Sequence, residues 1–188
     1  MAMAETSPSL VNRMIRAARL EVPLYEEVEA DTRATNQALL VVVIVAIAAG
    51  IGQALVGGNI IGRLIFGVLN ALIGWAVWSY VVYFVGTRFM GGTATYGELL
   101  RTLGFAESPG VLYVFGFIPI LGGLIGLIAF IWSIVGGFIG TRQALDIDNG
   151  KTLITIIVAA IVLIIVVAII SIILGTIFGL GVLIGRSL

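Results

Sequence analysis

The fold is decided by residues 153–173, which read LITIIVAAIVLIIVVAIISII and contain neither a charged residue nor a glycine. As an α-helix rising about 1.5 Å per residue, this run crosses a hydrocarbon core about 30 Å thick. Its β-branched residues suit a helix in a bilayer, where every backbone group must bond within the protein. The chain as a whole agrees, since 60% of its residues are hydrophobic and 11% charged, against about 25% charged in soluble domains. The sequence therefore predicts an integral membrane protein.

The other uncharged runs predict the remaining spans. The longest, Ser108–Thr141, has 34 residues, which is too long for one span, and Pro119 with the glycine pair at 122–123 marks a break. The predicted fold class is therefore an all-α, polytopic transmembrane helical bundle of about five spans. The predicted boundaries are residues 38–56, 64–87, 99–121, 124–141 and 153–174.

The chain divides by composition into residues 1–35, a cytoplasmic N-terminal region, and residues 36–188, the transmembrane bundle with a glycine-rich apolar C-terminal extension. Five spans place eight of the ten Lys and Arg residues on the N-terminal side, and only Arg63 and Arg186 on the other. Cytoplasmic loops carry such an excess of positive charge. The count therefore predicts a cytoplasmic N-terminus and an external C-terminus.

The N-terminal region contains a basic amphipathic pattern. Apolar residues recur at Leu10, Met14 and Ala18, while Arg13, Arg16 and Arg19 recur every three residues. This pattern is typical of an interfacial helix on anionic lipid, so the three arginines are candidate lipid or partner contacts. The alternatives are a soluble helix end and a disordered tail. Residues 1–20 lack the apolar core that a secretory signal needs.

Several functional classes are excluded by composition. The chain has no cysteine and no histidine, and its formal net charge is zero. These absences remove the usual metal ligands, nucleophile and general base, and no basic field is present to attract nucleic acid. We expect no metal site, no cofactor, no nucleic-acid partner and no enzymatic activity.

The most informative polar residue is Glu107, which with Ser108 and Pro109 forms a candidate intramembrane polar site. A carboxylate inside a membrane costs at least about 2.5 kcal/mol and is a functional-site hypothesis. Pro109 removes a backbone donor and frees the carbonyl of Phe105, as in the broken helices of transporters. The alternative is a protonated or hydrogen-bonded glutamate at a helix break near the interface.

Two further polar groups have simpler interpretations. Glu98 and Arg101 are three residues apart, which predicts a local interfacial ion pair; the alternative is a contact with a headgroup or partner. Residues 146–150 read DIDNG and lack the distal glutamate of a calcium loop. They therefore predict a capped turn before the last span.

Three stretches carry a family resemblance. Residues 91–106 read GGTATYGELLRTLGFA and are followed by Pro109, residues 132–145 read WSIVGGFIGTRQAL, and residues 25–31 read YEEVEAD. They resemble the bacterial and archaeal branch of the Yip family, named for proteins that interact with Ypt/Rab GTPases. The resemblance covers about residues 22–173 and implies a five-span bundle with a cytoplasmic N-terminus in a prokaryotic cytoplasmic membrane.

For the eukaryotic members of this family, the resemblance implies a role in vesicle traffic with GTPase partners. Their Asp-Leu-Tyr-Gly-Pro motif is absent here, where only Leu24-Tyr25 is similar to it. A Rab-type GTPase partner is therefore not expected.

The favoured functional interpretation is a non-enzymatic Yip-like membrane protein that acts as a membrane-organising or partner-recruiting scaffold. Its expected partners are the lipid bilayer and another membrane protein, or a second copy through small-residue helix faces such as Gly136/Gly140. One alternative is a small transporter or channel with a polar site near Glu107 and Pro109. Another is an accessory subunit of a larger membrane complex.

Overall fold

All regular secondary structure within the described residues is helical. The computed structural model describes residues 9–54 and 60–185, and within these ranges the side chains of all but residues 54, 60, 63 and 173–185. The helices are α1 Leu10–Ala18, α2 Val22–Ala30, α3 Ala34–Ala54, α4 Ile60–Phe89, α5 Tyr96–Ala106, the 3₁₀ helix η1 Ser108–Phe117, α6 Leu121–Leu145 and α7 Asn149–Gly185. The predicted fold class, a polytopic helical bundle, is confirmed.

Four of the described helices are long and apolar enough to cross a membrane, and η1 is a shorter apolar helix. The four qualifying segments are Ala34–Gln53, Leu64–Phe89, Leu121–Leu145 and Asn149–Ile172. They match the first, second, fourth and fifth predicted spans, because length and hydropathy are the properties from which those spans were predicted. Residues 55 and 56 of the first predicted span lie outside the described residues.

The stretch predicted as the third span, residues 99–121, is not one continuous α-helix. It consists of α5 followed by η1, because Pro109 cannot continue the α-helical hydrogen-bond pattern. The two pieces nevertheless carry the chain from one end of the bundle to the other. Just before α5, the Thr93 amide donates to the Leu145 carbonyl at 3.2 Å, at the end of α6. At the other end η1 packs so closely on Gly52 that a Cβ there would collide with the Tyr113 carbonyl.

The chain thus passes along the bundle five times, four times as one long helix and once as α5 with η1. Helix α2 packs on α5 and α6, and α1 packs on α2, α5 and η1. We call α1 and α2 together the N-terminal layer. Its core consists of buried residues of α1, α2, α3 and α5, namely Ala17, Leu24, Val28, Ala34, Ala38, Val41, Val45 and Phe105. The basic N-terminal helix is therefore docked on the protein.

The turn before α7 has the predicted cap. Asp148 accepts a hydrogen bond from the Lys151 amide at 3.0 Å, which satisfies a free donor in the first turn of the helix. The α7 backbone stays helical to Gly185, so the glycine-rich extension continues the helix as far as that residue. Residues 186–188 lie outside the part of the chain that is described.

Candidate functional site

The junction between α5 and η1 is built by local capping. A capping box starts α5: the Glu98 amide donates to the Thr95 hydroxyl, and the Thr95 amide donates to the Glu98 carboxylate. The helix ends at Ala106, and Glu107 follows as its C-terminal cap. The Ser108 hydroxyl donates to the Phe105 carbonyl at 2.6 Å. This bond satisfies the acceptor that Pro109 leaves free, so the break exposes no unpaired carbonyl at Phe105.

Glu107 faces a cavity of about 970 Å³, which we call the Glu107 cavity. Helices α3, α4 and α6 supply most of the described wall, and Ile156 of α7 also lines it. Ser108 and Pro109 are buried but are not among the lining residues. Of the three residues of the predicted polar site, the structure therefore brings only Glu107 to the cavity.

The Glu107 carboxylate has no hydrogen-bond or ion-pair partner among the side chains that the structure describes. No lysine or arginine is found among the lining residues whose side chains are described. An isolated carboxylate in an apolar environment is costly unless it is protonated or paired. The cavity thus combines apolar walls with one carboxyl group that the surrounding side chains leave without a partner.

Two hydroxyl groups on α6 also line the cavity. Thr141 is 1% exposed, and neither its hydroxyl nor that of Ser133 has a hydrogen-bond partner within the described structure. Both line the wall together with Gly137, and the three residues recur at four-residue intervals, hence on one helix face. Sequence reasoning missed both hydroxyls, although a small and polar stripe inside an apolar span was the available signal.

The predicted ion pair between Glu98 and Arg101 does not form. Glu98 folds back over the start of α5 in the capping box, whereas Arg101 is buried and reaches α2. Its guanidinium donates to the Val28 carbonyl at 2.8 Å, and two of its nitrogens donate to the Glu29 carbonyl. A cation at carbonyls in the last turn of a helix is favourable, so Arg101 clamps the end of α2 to α5.

A sequence model of the Yip1 domain matches residues 25–172, a range that begins in α2 and ends in α7. The chain belongs to the Yip1 family. No curated protein and no solved structure was found to match it.

The Yip1 match begins at a residue with a structural role. Tyr25 is fully buried against α6, where a Cβ on Gly136 would lie 2.9 Å from its hydroxyl oxygen and a Cβ on Gly140 would lie 3.2 Å from its ring. The small-residue pair Gly136/Gly140 therefore serves packing inside the Yip1 domain, against α2 and α5. Burial raises the pKa of Tyr25, and its hydroxyl has no partner among the described groups.

The three arginines of α1 have different environments. Arg13 is 2% exposed, and it donates to Glu27 at 2.9 Å, to Asp31 at 2.8 Å and to Gln37 at 2.8 Å. Arg16 pairs with Glu21 at 3.1 Å and with Glu27 at 2.5 Å. Arg19 is exposed. Of the three predicted lipid or partner contacts, Arg13 and Arg16 thus engage acids of this same chain.

This network changes the titration of its acids. Burial by itself would raise the pKa of Glu27, but hydrogen bonds from Arg16 and Arg13 outweigh it and lower that pKa. The pKa of Asp31 is lowered in the same way, mainly by its bond from Arg13. Both carboxylates are therefore held ionised, as partners of a nearly buried guanidinium must be.

Glu29 lies in an acidic environment that sequence reasoning did not single out. One of its carboxylate oxygens is buried without a partner in the described structure. Desolvation, followed by the negative charges of Asp146, Glu26 and Glu98, raises the pKa of Glu29 to about 7, while Arg101 opposes the shift. The acids come from α2, α5 and the turn before α7, so only the folded layer brings them together.

Proposed function

We propose that this Yip1-family protein is a non-enzymatic integral membrane scaffold that presents its N-terminal layer to a partner. The observation that supports this best is the way α1 is held. Arg13 ties α1 to α2 and α3 through three side chains, which removes the flexibility of an N-terminal tail. An ordered surface loses less entropy on binding than a disordered one.

The outer side of α1 is suited to such a contact. Val11 is 63% exposed and Ile15 48% exposed, and Arg19 is exposed one turn further along. We call these three residues the outer face of α1. Two apolar groups beside a cation match either an anionic membrane surface or the apolar helix of another membrane protein. We propose that the partner is a membrane protein. Under this proposal the chain serves as a scaffold or as an accessory subunit of a larger membrane complex.

The proposed location is a bacterial or archaeal cytoplasmic membrane, with the N-terminal layer in the cytoplasm and the C-terminus outside. This orientation is supported by the distribution of cations. The residues Arg13, Arg16, Arg19, Arg33, Arg88, Arg101, Arg142 and Lys151 belong to the N-terminal layer, to the adjoining helix ends or to the α6–α7 turn.

The test compares variants after mild extraction from the native membrane and native mass spectrometry. We expect wild type to retain a stoichiometric partner, and Val11→Ser with Ile15→Ser to lose most of it, because the apolar contact area is removed while Arg13 still docks α1. Asn12→Ser, an exposed polar change on the same helix, serves as the control. A partner that survives the double change would contradict the assignment to this face.

A second candidate function, a small transporter or channel, is favoured by one observation: the unpaired Glu107 carboxyl faces a cavity of about 970 Å³. If this function holds, Glu107→Gln abolishes proton-coupled flux in proteoliposomes while the variant still folds. Equal flux in wild type, variant and empty liposomes would reject it.

A further inference from the structure

The Glu107 cavity is long and opens on the side of the bundle. On α3 its lining runs from Val42 to Gln53, a rise of about 16 Å along the helix. Phe66 on α4 and Phe130 on α6 line it and are 71% and 55% exposed. They form the rim of an opening between α4 and α6 on the surface that faces lipid.

Among the described side chains of α7, residues in its early turns pack against the cavity region. Ile156 lines the cavity and Ala159 is fully buried against α4. Large α7 side chains on both sides of these residues are exposed, including Leu153 at 53% and Ile164 at 68%. The early turns of α7 therefore contribute to the wall of the cavity, while Phe66 and Phe130 mark its opening.

The chemistry of the wall selects a class of ligand. Among the lining residues whose side chains the structure describes, Glu107 is the only charged one, and its carboxylate favours a cationic ligand over an anionic one. Trp75, Trp78 and Tyr113 are aromatic lining residues, and the Trp75 ring is fixed by its N–H donating to the Leu100 carbonyl at 3.0 Å. A carboxylate with aromatic faces is the combination that recognises organic ammonium groups. The unpartnered Thr141 hydroxyl, 1% exposed, adds an acceptor inside the wall.

The rest of the wall accommodates an apolar body. Gly67, Ala71 and Gly74 lie along α4 at helical spacing, and a Cβ on either glycine would meet no atom within 4 Å. The groove beside α4 is thus open space bounded by apolar surface, which stabilises an apolar ligand by removing it from water or lipid contact.

We propose that the Glu107 cavity binds a lipophilic ammonium compound, with its cationic group at Glu107 and its apolar body along α4 toward the opening. The source of such a compound is either an amine-headed membrane lipid or a free lipophilic amine. The proposal goes beyond the scaffold function and holds whether or not the chain transports the ligand.

The chain offers a direct optical test. Of its three tryptophans, Trp75 and Trp78 line the cavity and Trp132 does not, so Trp132→Phe leaves emission from the cavity alone. The full-length variant in maltoside micelles is titrated with 11-bromoundecyltrimethylammonium, whose bromine quenches tryptophan, and with the neutral 11-bromoundecanol. We expect saturable quenching by the ammonium at a concentration at least tenfold lower than by the alcohol.

The charge dependence is tested by Glu107→Gln in the same background. We expect the preference for the ammonium to disappear, so that both probes quench at similar concentrations. Equal quenching by the two probes in the parent, or an unchanged preference in Glu107→Gln, would overturn the proposal.

Binding of the apolar body of the ligand is tested independently with variants that retain Glu107. This test therefore remains informative if Glu107→Gln does not fold. Gly74→Leu fills the groove and should weaken quenching by both probes at least tenfold. Gly123→Leu is the matched control, because a Cβ there also meets no atom within 4 Å but Gly123 does not line the cavity. Quenching that is unaffected by Gly74→Leu, or lost equally in both variants, would place the probe elsewhere and reject the site.

The two sources are separated in nanodiscs. If phosphatidylethanolamine in a phosphatidylglycerol bilayer competes with the ammonium probe, the occupant is a lipid amine. If the probe binds equally with and without that lipid, a free lipophilic amine is the ligand. A partner protein cross-linked to Gly74→Cys in the native membrane, with no competition by the ammonium probe, would contradict both.

Discussion

Arg13 and Arg101 both hold the C-terminal part of α2, Arg13 from α1 and Arg101 from α5, and both use their charge on groups of this same chain. Arg13 binds the side chains of Glu27, Asp31 and Gln37, whereas Arg101 binds backbone carbonyls at the end of α2. Removing one partner of a nearly buried pair leaves the other charges without compensation. The two arginines are therefore expected to be far more sensitive to substitution than exposed Arg19.

Arg13→Met should lower the stability of the docked layer by about 2–4 kcal/mol, since charge-assisted hydrogen bonds contribute about 1.5–3 kcal/mol and two acids lose their cation. The measurement is the unfolding temperature of the detergent-solubilised protein, with limited proteolysis of α1 as a local readout. Arg19→Met is the control and should change neither. Equal losses in both variants would show that α1 is not held by the Arg13 network.

Glu29 gives the layer a dependence on pH. Because the folded-state pKa of Glu29 is raised to about 7 from an ordinary value of 4.5, its ionisation destabilises the fold, and this penalty grows as pH rises from about 4.5 to 7. Glu29→Gln should therefore raise the unfolding temperature at pH 8 relative to wild type, and by less at pH 5. Glu21→Gln, a more exposed acid preceding α2, is the comparison. A Glu29→Gln difference that is constant with pH would refute the assignment.

Tyr25 provides a test at the contact between α2 and α6. Its buried hydroxyl has no partner in the described structure and would lie 2.9 Å from a Cβ on Gly136. Tyr25→Phe removes an unsatisfied polar group and should stabilise the protein by about 1 kcal/mol. Gly136→Ala should destabilise it by about 1–3 kcal/mol through overpacking.

The combined variant should recover part of the loss caused by Gly136→Ala, because the colliding hydroxyl is gone. Thermal unfolding of the two single variants and the double variant completes the cycle. Destabilisation by Tyr25→Phe alone would mean that the hydroxyl has a binding role.

At the scale of elements, prediction from the sequence succeeded where a single property decides the structure. Helices α3, α4, α6 and α7 were predicted because uncharged length and hydropathy are sufficient to define them. The break after α5 was less predictable. In the sequence, Ser108 and Pro109 indicate a break. The division into α5 and η1 also depends on the close packing of η1 against Gly52 of α3, and a contact between distant parts of the chain cannot be predicted from a local sequence pattern.

The candidate site was predicted only in part, for a related reason. Glu107 was identified because a charged residue within a run of apolar residues can be recognised from the sequence alone. The environment of Arg13 was not predictable, since its partners lie 14 to 24 residues away in the chain. The cavity was not predictable either, since it is space left between helices. The Glu98–Arg101 prediction was wrong, although a three-residue spacing permits an ion pair. Glu98 instead forms the capping box of α5, and Arg101 binds carbonyl groups at the end of α2.

At the scale of the whole molecule, five passes are expected to leave the N-terminal layer and the C-terminal end of α7 on opposite sides of the membrane. The protein contains no cysteine, so single cysteines can be introduced without a background. In right-side-out vesicles, an impermeant maleimide should label Ser187→Cys directly and Ser9→Cys only after lysis. Labelling of both before lysis would contradict the five-pass topology and with it the cytoplasmic position of the N-terminal layer.

The third pass also gives the bundle an adjustable length. A 3₁₀ helix rises about 2.0 Å per residue and an α-helix about 1.5 Å, so conversion of the ten residues of η1 into α-helix would shorten this pass by about 5 Å. The long α-helices have no such alternative and must tilt when the hydrophobic thickness changes. Hydrophobic mismatch would therefore act first on η1, and through the junction at Ser108 it would shift Glu107 relative to the bilayer midplane.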